Sequence, residues 1–122
     1  MQAQNDIELT MSGFDNNNGT VKVGLYNSEG DFLEKKFMSL SSKIVNNRVR
    51  VIFLDVPDGV YAISSYHDED NNGVLNTILG FIPTESFGTS NNAPARFGPP
   101  EWEDAKFELN NNKPLKLNIT ID

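Results

Sequence analysis

The 122-residue chain carries 17 acidic against 10 basic side chains, a formal net charge of −7, and no cysteine. That length supports one domain around a single core, and the missing thiols exclude a disulfide framework, a thiolate zinc site and a cysteine nucleophile. The negative charge opposes binding to nucleic-acid phosphates or anionic lipid, leaves cations as natural counter-partners, and accompanies no apolar run near the roughly 20 residues of a membrane-spanning helix.

Met1-Gln2-Ala3-Gln4 is polar, so residues 1–5 are expected to form a flexible tail ahead of one domain over 6–122. It looks like an initiator placed just after a removed signal peptide, which points to a secreted or periplasmic protein. Ile7, Leu9 and Met11 then alternate with Glu8, Thr10 and Ser12, and Val21, Val23 and Leu25 with Lys22, Gly24 and Tyr26. A period of two marks half-buried strands. Over Phe32 to Ile44 a helical stripe of Phe37, Leu40 and Ile44 competes, but Ser39-Leu40-Ser41-Ser42 and the lack of a cap favour extended chain. Alternation resumes at Val49, Val51 and Phe53, continues through Val60 to Tyr66, and returns at Leu115, Leu117, Ile119 and Ile121. Asn18-Gly19, Glu29-Gly30, Asn46-Asn47 and Asp58-Gly59 supply turns. The expected fold is all-β, an antiparallel β-sandwich of about seven strands with no internal repeat or linker.

Between Thr77 and Glu103 the alternation lapses and Gly80, Pro83, Gly88, Pro94, Gly98, Pro99 and Pro100 accumulate. One long rim loop is expected there, tucked against the sandwich by Phe81, Ile82, Phe87, Phe97 and Trp102, with a short helical turn near Glu101 to Asp104.

The most chemical stretch runs from His67 to Asn76 and contains D-x-D-x-N-G. Asp68, Asp70 and Asn72 fall at ligand positions one, three and five of a calcium loop, Gly73 allows the sharp turn, and the Val74 carbonyl takes position seven. Asn76 adds a further oxygen. Position twelve is Leu79, where helix-loop-helix calcium sites have a bidentate Glu, so affinity is modest unless Glu85 folds back. Glu85, or the Asn91-Asn92 pair, can close the cage from the far side. The plainer reading is an Asx-rich turn, since Asn16-Asn17-Asn18, Asn46-Asn47 and Asn110-Asn111-Asn112 show how freely this chain places Asn in turns.

Catalysis is not expected. His67 is the only histidine, and its neighbour Asp68 points to the opposite face of a strand, leaving Asp70 or Glu85 to orient it in any hydrolase. Carboxylate pairs drawn from Asp68, Asp70 and Glu85 are explained more simply as a cation site. No G-x-S-x-G, P-loop or H-E-x-x-H is present.

An ordered set of short motifs covers nearly the whole chain: Val23-Gly24-Leu25-Tyr26-Asn27 followed by Phe32, Gly59-Val60-Tyr61-Ala62-Ile63, His67-Asp68-Glu69, Asn72-Gly73-Val74-Leu75, Ile82-Pro83-Thr84-Glu85, Gly88-Thr89-Ser90-Asn91-Asn92 and Asp104-Ala105-Lys106-Phe107. This set resembles the bacterial domain of unknown function 2141 family, and the resemblance implies a small exported β-sandwich. The chain departs from that family at Asn76, commonly Asp, and at Phe81, where Gly usually precedes Ile-Pro. The lead into the Gly-x-Tyr strand is also similar to transthyretin-like and carboxypeptidase-regulatory-like sandwiches, with an immunoglobulin-like (Ig-like) sandwich the other candidate architecture. The expected function is an exported accessory or binding module. Its structural Ca2+ site would stiffen a rim that contacts a protein, glycan or envelope component. The alternatives are a transthyretin-like small-ligand carrier and, last, a hydrolase using His67. Trp102, Tyr66 and Phe87 can form a sugar-stacking surface, although a lone Trp in a Pro-rich segment is more often a core plug.

Overall fold

The alternating segments do form strands in the computed structural model, which describes residues 4–14, 16–68, 77–78, 82–83, 87–93, 100–110 and 114–121. A three-stranded sheet is built from β1 (Gln4–Ser12), β4 (Val49–Pro57) and β10 (Leu115–Thr120), in the order β10-β1-β4. Facing it is a five-stranded sheet of β2 (Thr20–Tyr26), β3 (Met38–Lys43), β5 (Gly59–Asp68), β8 (Phe87–Thr89) and β9 (Phe107–Leu109). Its order is β3-β2-β5-β8, and β9 pairs with the opening residues of β5. A hairpin of β6 (Thr77–Ile78) and β7 (Ile82–Pro83), a single 3-10 turn (Ser90–Asn92) and helix α1 (Trp102–Ala105) complete the described elements. The sandwich is therefore mostly β with little helix. Among the described residues no helix is long and apolar enough to cross a membrane.

Alternation decides which side chains meet between the sheets. Ile7, Leu9 and Met11 of β1 are buried against Val21, Val23 and Leu25 of β2, with Phe53, Ile63 and Ile119 in the same core. Each such side chain contributes about 1.5–3 kcal/mol by leaving water. On β4 the alternation slips. Pairing jumps from Asn5 opposite Val56 to Ile7 opposite Phe53, leaving Asp6 facing both Leu54 and Asp55. Asp55 adopts a φ of 56°, and its amide donates to Asp6 Oδ1 at 3.0 Å. This bulge absorbs one residue and returns Val56 to the core.

Four expectations need correction. The ladder between β1 and β10 is parallel, Ile7 lying opposite Leu115 and Ser12 opposite Thr120. A parallel pair cannot be closed by a tight turn, and here the whole intervening chain is the crossover. Gln4 and Asn5, expected in a tail over 1–5, belong to β1, and Asn5 is 1 % exposed, its Nδ2 donating to the Val56 carbonyl at 3.1 Å and to Asp58 Oδ1 at 2.9 Å. Within Phe32 to Ile44 only Met38–Lys43 is strand. The residues before it turn, with Lys35 donating its amide to the Asp31 carbonyl at 2.8 Å and Leu33 at a φ of 66°. The Thr77 to Glu103 stretch is not a plain rim loop either, since it supplies the β6–β7 hairpin, β8 and the start of α1.

Gly88 on β8 marks a close approach of the two sheets. A Cβ there would lie 2.6 Å from Ile119 Cγ2 and 2.9 Å from the Thr120 carbonyl oxygen, whereas one on Gly30 would meet nothing within 4 Å. Gly88→Ala is expected to destabilise the fold by about 1–3 kcal/mol, as overpacked cores do, lowering the melting temperature by several degrees. Gly30→Ala should melt like the parent. Identical melting of the two variants would show that β8 can move away from β10 at no cost.

Candidate functional site

The chemistry-bearing residues hang on β5, and the pleat divides them. Tyr61, Ile63, Ser65 and His67 share the face turned to the inter-sheet core, and Ala62, Ser64, Tyr66 and Asp68 share the outer face. His67 is 0 % exposed. Its ring meets Phe14 edge-on at 5.3 Å, and Nε2 lies 2.6 Å from the Asn18 carbonyl oxygen. A carbonyl can only accept, so Nε2 carries the proton and donates it there. The histidine thus ties the turn before β2 to the end of β5.

The Asn-rich turns around it act on backbone groups. Asn16 Oδ1 accepts from the Asn18 amide at 2.9 Å, Asn17 Oδ1 accepts from the Asn47 amide at 2.8 Å, and Asn47 Nδ2 donates to the Phe14 carbonyl at 3.0 Å. Asn46 and Asn47 take φ values of 54° and 59° in a two-residue hairpin closed by Val45 and Arg48.

Asp68 ends β5 opposite Thr20 and is also 0 % exposed. The remaining expected ligands, Asp70, Asn72, Val74, Asn76 and Glu85, lie outside the described residues, as do Gly73 and Leu79. Among the described residues no three His, Cys, Asp or Glu gather as a metal-holding group. Asn91 and Asn92, expected as possible cage-closing groups, point elsewhere. Asn91 Nδ2 donates to the Asp104 and Lys106 carbonyls at 3.3 and 2.9 Å, and Asn92 Oδ1 accepts from the Thr120 amide at 3.0 Å. Both adopt left-handed backbone, φ 59° and 50°, a conformation Asn tolerates better than most residues.

Ser90 is a key residue that the sequence did not signal beyond its place before Asn-Asn. β8 pairs with Ser64 to Tyr66 of β5, and β9 pairs with Gly59 to Tyr61. In the gap between those ladders the buried Ser90 Oγ accepts from the Ile63 amide at 3.0 Å and donates to the Ala105 carbonyl at 2.6 Å. One hydroxyl therefore splices two short strands and fastens α1 to the sheet.

The outer face of β5 carries a second small core of Tyr26, Ala62, Ala93, Trp102 and Ala105, with Phe32 and Leu33 packed on it. Its rings meet edge to face, Tyr26 with Phe32 at 5.4 Å and Phe32 with Trp102 at 5.7 Å. Trp102, 9 % exposed, is the plug. The sugar-stacking trio does not form, because Tyr66 and Phe87 pair with each other four residues further along β5 than Ala62, about 13 Å by strand rise.

A two-sheet sandwich with its polar chemistry at strand ends defines a small β-sandwich module. Residues 9–116 match the family described as "Uncharacterized protein conserved in bacteria (DUF2141)", and the chain belongs to that family. No curated protein and no solved structure matches it.

Ser90→Ala strands a buried amide and a buried carbonyl, which costs about 1–3 kcal/mol for each unsatisfied group. The expected result is a clearly lowered denaturation midpoint and faster hydrogen exchange at Ile63; unchanged exchange there would mean that the strand splice does not depend on the hydroxyl. Burial also raises the Tyr26 phenol above its ordinary value of 10.0. A phenol harder to ionise when folded contributes stability fully below the unfolded value and loses it as pH rises through the folded one. Stability measured by urea denaturation should fall above about pH 10, and Tyr26→Phe should flatten part of that alkaline decline. An alkaline limb identical in the variant would assign the loss to other groups.

Proposed function

We propose that this protein is a small exported accessory or binding module in which a calcium ion, held by the 68–76 loop, braces one rim of the sandwich. The observation that carries the proposal is the buried Asp68 carboxylate at the point where β5 runs into the D-x-D-x-N-G segment. Oxygen side chains at alternate positions of a short loop are the ligands a hard divalent cation takes. Side-chain oxygens of Asp68, Asp70 and Asn72, the Val74 carbonyl and further oxygens from Asn76 and Glu85 would provide the six or more ligands that calcium takes. The net charge of −7 favours a cation as partner. A secreted or periplasmic location is part of the same proposal, and the partner of the braced rim is a protein, glycan or envelope component.

Two features support the module reading over its alternatives. A transthyretin-like carrier holds its ligand between the sheets or at a dimer interface, and the first place is filled, since Ile7, Leu9, Leu25, Phe53, Ile63 and Ile119 are packed there out of contact with water. A hydrolase built on His67 needs its ring at the surface, and the ring is enclosed with Nε2 engaged by the Asn18 carbonyl.

Calcium added to chelator-treated protein is expected to raise the melting temperature. At a hundredfold excess over the dissociation constant the gain is about 2.7 kcal/mol, or several degrees in a domain of this size. Magnesium should act far less, since it demands a tighter octahedron. Asp68→Asn, nearly constant in volume, should fold and lose most of the calcium response. A parent protein that melts at the same temperature with and without calcium rules out the brace.

A further inference from the structure

Asn18 joins a structural duty to a reactive sequence. Its backbone is held on both sides, the amide donating to Asn16 Oδ1 at 2.9 Å and the carbonyl accepting from His67 Nε2 at 2.6 Å. Its side chain is exposed and makes no hydrogen bond among the described residues. Gly19 follows at a φ of 64°, ahead of the β2 ladders, which begin at Thr20, and no turn hydrogen bond among the described residues holds its amide. The neighbouring asparagines differ. Asn16 and Asn17 have their Oδ1 atoms occupied by the Asn18 and Asn47 amides, and Asn47 has its Nδ2 on the Phe14 carbonyl. The amides that follow Asn17, Asn46 and Asn47 are themselves donated, to Asn16 Oδ1, to Asn17 Oδ1 and to the Val45 carbonyl. Of these asparagines Asn18 alone couples an unengaged carboxamide to a following amide that is also unengaged and has no Cβ beside it to hinder approach.

We propose that Asn18-Gly19 is a site of spontaneous deamidation whose rearranged product loosens the tie between His67 and the start of β2. The Gly19 nitrogen attacks Asn18 Cγ; an N–Cγ bond forms, the Cγ–Nδ2 bond breaks, and Nδ2 leaves as ammonia with the Gly19 amide proton. Water then opens the cyclic imide. Opening at Cγ gives an ordinary aspartate. Opening at the backbone carbonyl carbon gives an isoaspartyl link, in which the chain reaches Gly19 through Cβ and Cγ and the former backbone carbonyl becomes a free carboxylate. One water enters, one ammonia leaves, and no oxidant or reductant is needed. That carbonyl is the acceptor of the buried His67 ring. In the isoaspartyl form the chain leaves the anchor by a path one carbon longer, so the group that His67 holds no longer fixes where Thr20 and Val21 begin pairing with Asp68 and His67. The site does not depend on calcium.

Peptide mapping tests the chemistry and melting tests its consequence. Protein aged in warm, mildly alkaline buffer and digested with trypsin should show the mass gain of an amide-to-acid change at Asn18 well before Asn16 or Asn17, all three lying in the peptide that ends at Lys22. Two isomers of that product should separate, only one of them cut by a protease that cleaves before aspartate. The aged parent should melt several degrees below the fresh protein. Asn18→Gln, whose longer side chain closes a larger ring far more slowly, carries every other effect of ageing and should lose clearly less. Fresh Asn18→Asp, with the new charge but the original backbone path, should melt like the fresh parent. The proposal is overturned if Asn18 gains no mass or gains it no sooner than Asn16 and Asn17, if aged Asn18→Gln loses as much stability as the aged parent, or if fresh Asn18→Asp already melts as low as the aged parent.

Discussion

Burial on both faces of β5 from Tyr61 to Ile63 is the constraint on which the rest of this structure depends. Its inner side chains, Tyr61 and Ile63, belong to the core between the sheets, while Ala62 on the outer face belongs to the second core under Trp102. A strand enclosed on two sides has no water to satisfy its backbone, so every amide and carbonyl along its edges needs a protein partner. β2 covers one edge from Ala62 to Asp68. On the other, β8 and β9 cover separate stretches, and the Ser90 hydroxyl supplies what neither reaches.

The outer core follows from side-chain size. Ala62, Ala93 and Ala105 are small enough to let Trp102 and Phe32 approach the sheet, and the edge-to-face contacts running from Tyr26 through Phe32 to Trp102 need that room. Phe32 and Leu33 can reach this patch only if the chain turns after β2, and the turn is made by Leu33 in left-handed backbone and by Ser28, whose Oγ accepts from the Asp31 amide at 3.3 Å. At the open margin of that packing lies a cleft bordered by Glu29, Glu34, Glu101 and Glu103. Its glutamates come from the turn after β2, from α1 and from Glu101 just before it, segments held together by the apolar contacts beneath them.

The same outer face of β5 carries Asp68 six residues beyond Ala62, about 20 Å away by strand rise. The Asp68 end and the Trp102 end of β5 are thus separate in space. His67 has a different part. Because the pleat turns it inward, the only histidine of a chain rich in acids is spent on holding the Asn-rich turn through the Asn18 carbonyl.

Period-two alternation by itself determined the all-β class, the inward set Ile7, Leu9, Met11, Val21, Val23 and Leu25, and the strand character of 49–53, 60–66 and 115–120, because one-sided burial requires that pattern wherever it occurs. Asn-Gly, Asn-Asn and Asp-Gly pairs marked turns for the equally local reason that Asn and Gly tolerate left-handed backbone. The ordered motifs placed the chain in its family, and 9–116 is the stretch that matches. Tertiary structure alone decided what depends on residues far apart. The parallel pairing of β1 with β10 brings together segments from the two ends of the chain, which no local pattern encodes. The Asp55 bulge exists because Asp6, 49 positions earlier, takes its amide. Thr77 to Glu103 has no alternation to read, since β6 and β7 are two residues long, β8 and the 3-10 turn three each, and α1 four; β8, the 3-10 turn and α1 are held in place by side-chain hydrogen bonds from Ser90, Asn91 and Asn92 to distant backbone. Acidic residues at 29, 34, 101 and 103 are unremarkable in a chain of this charge until packing around Trp102 sets them on one rim.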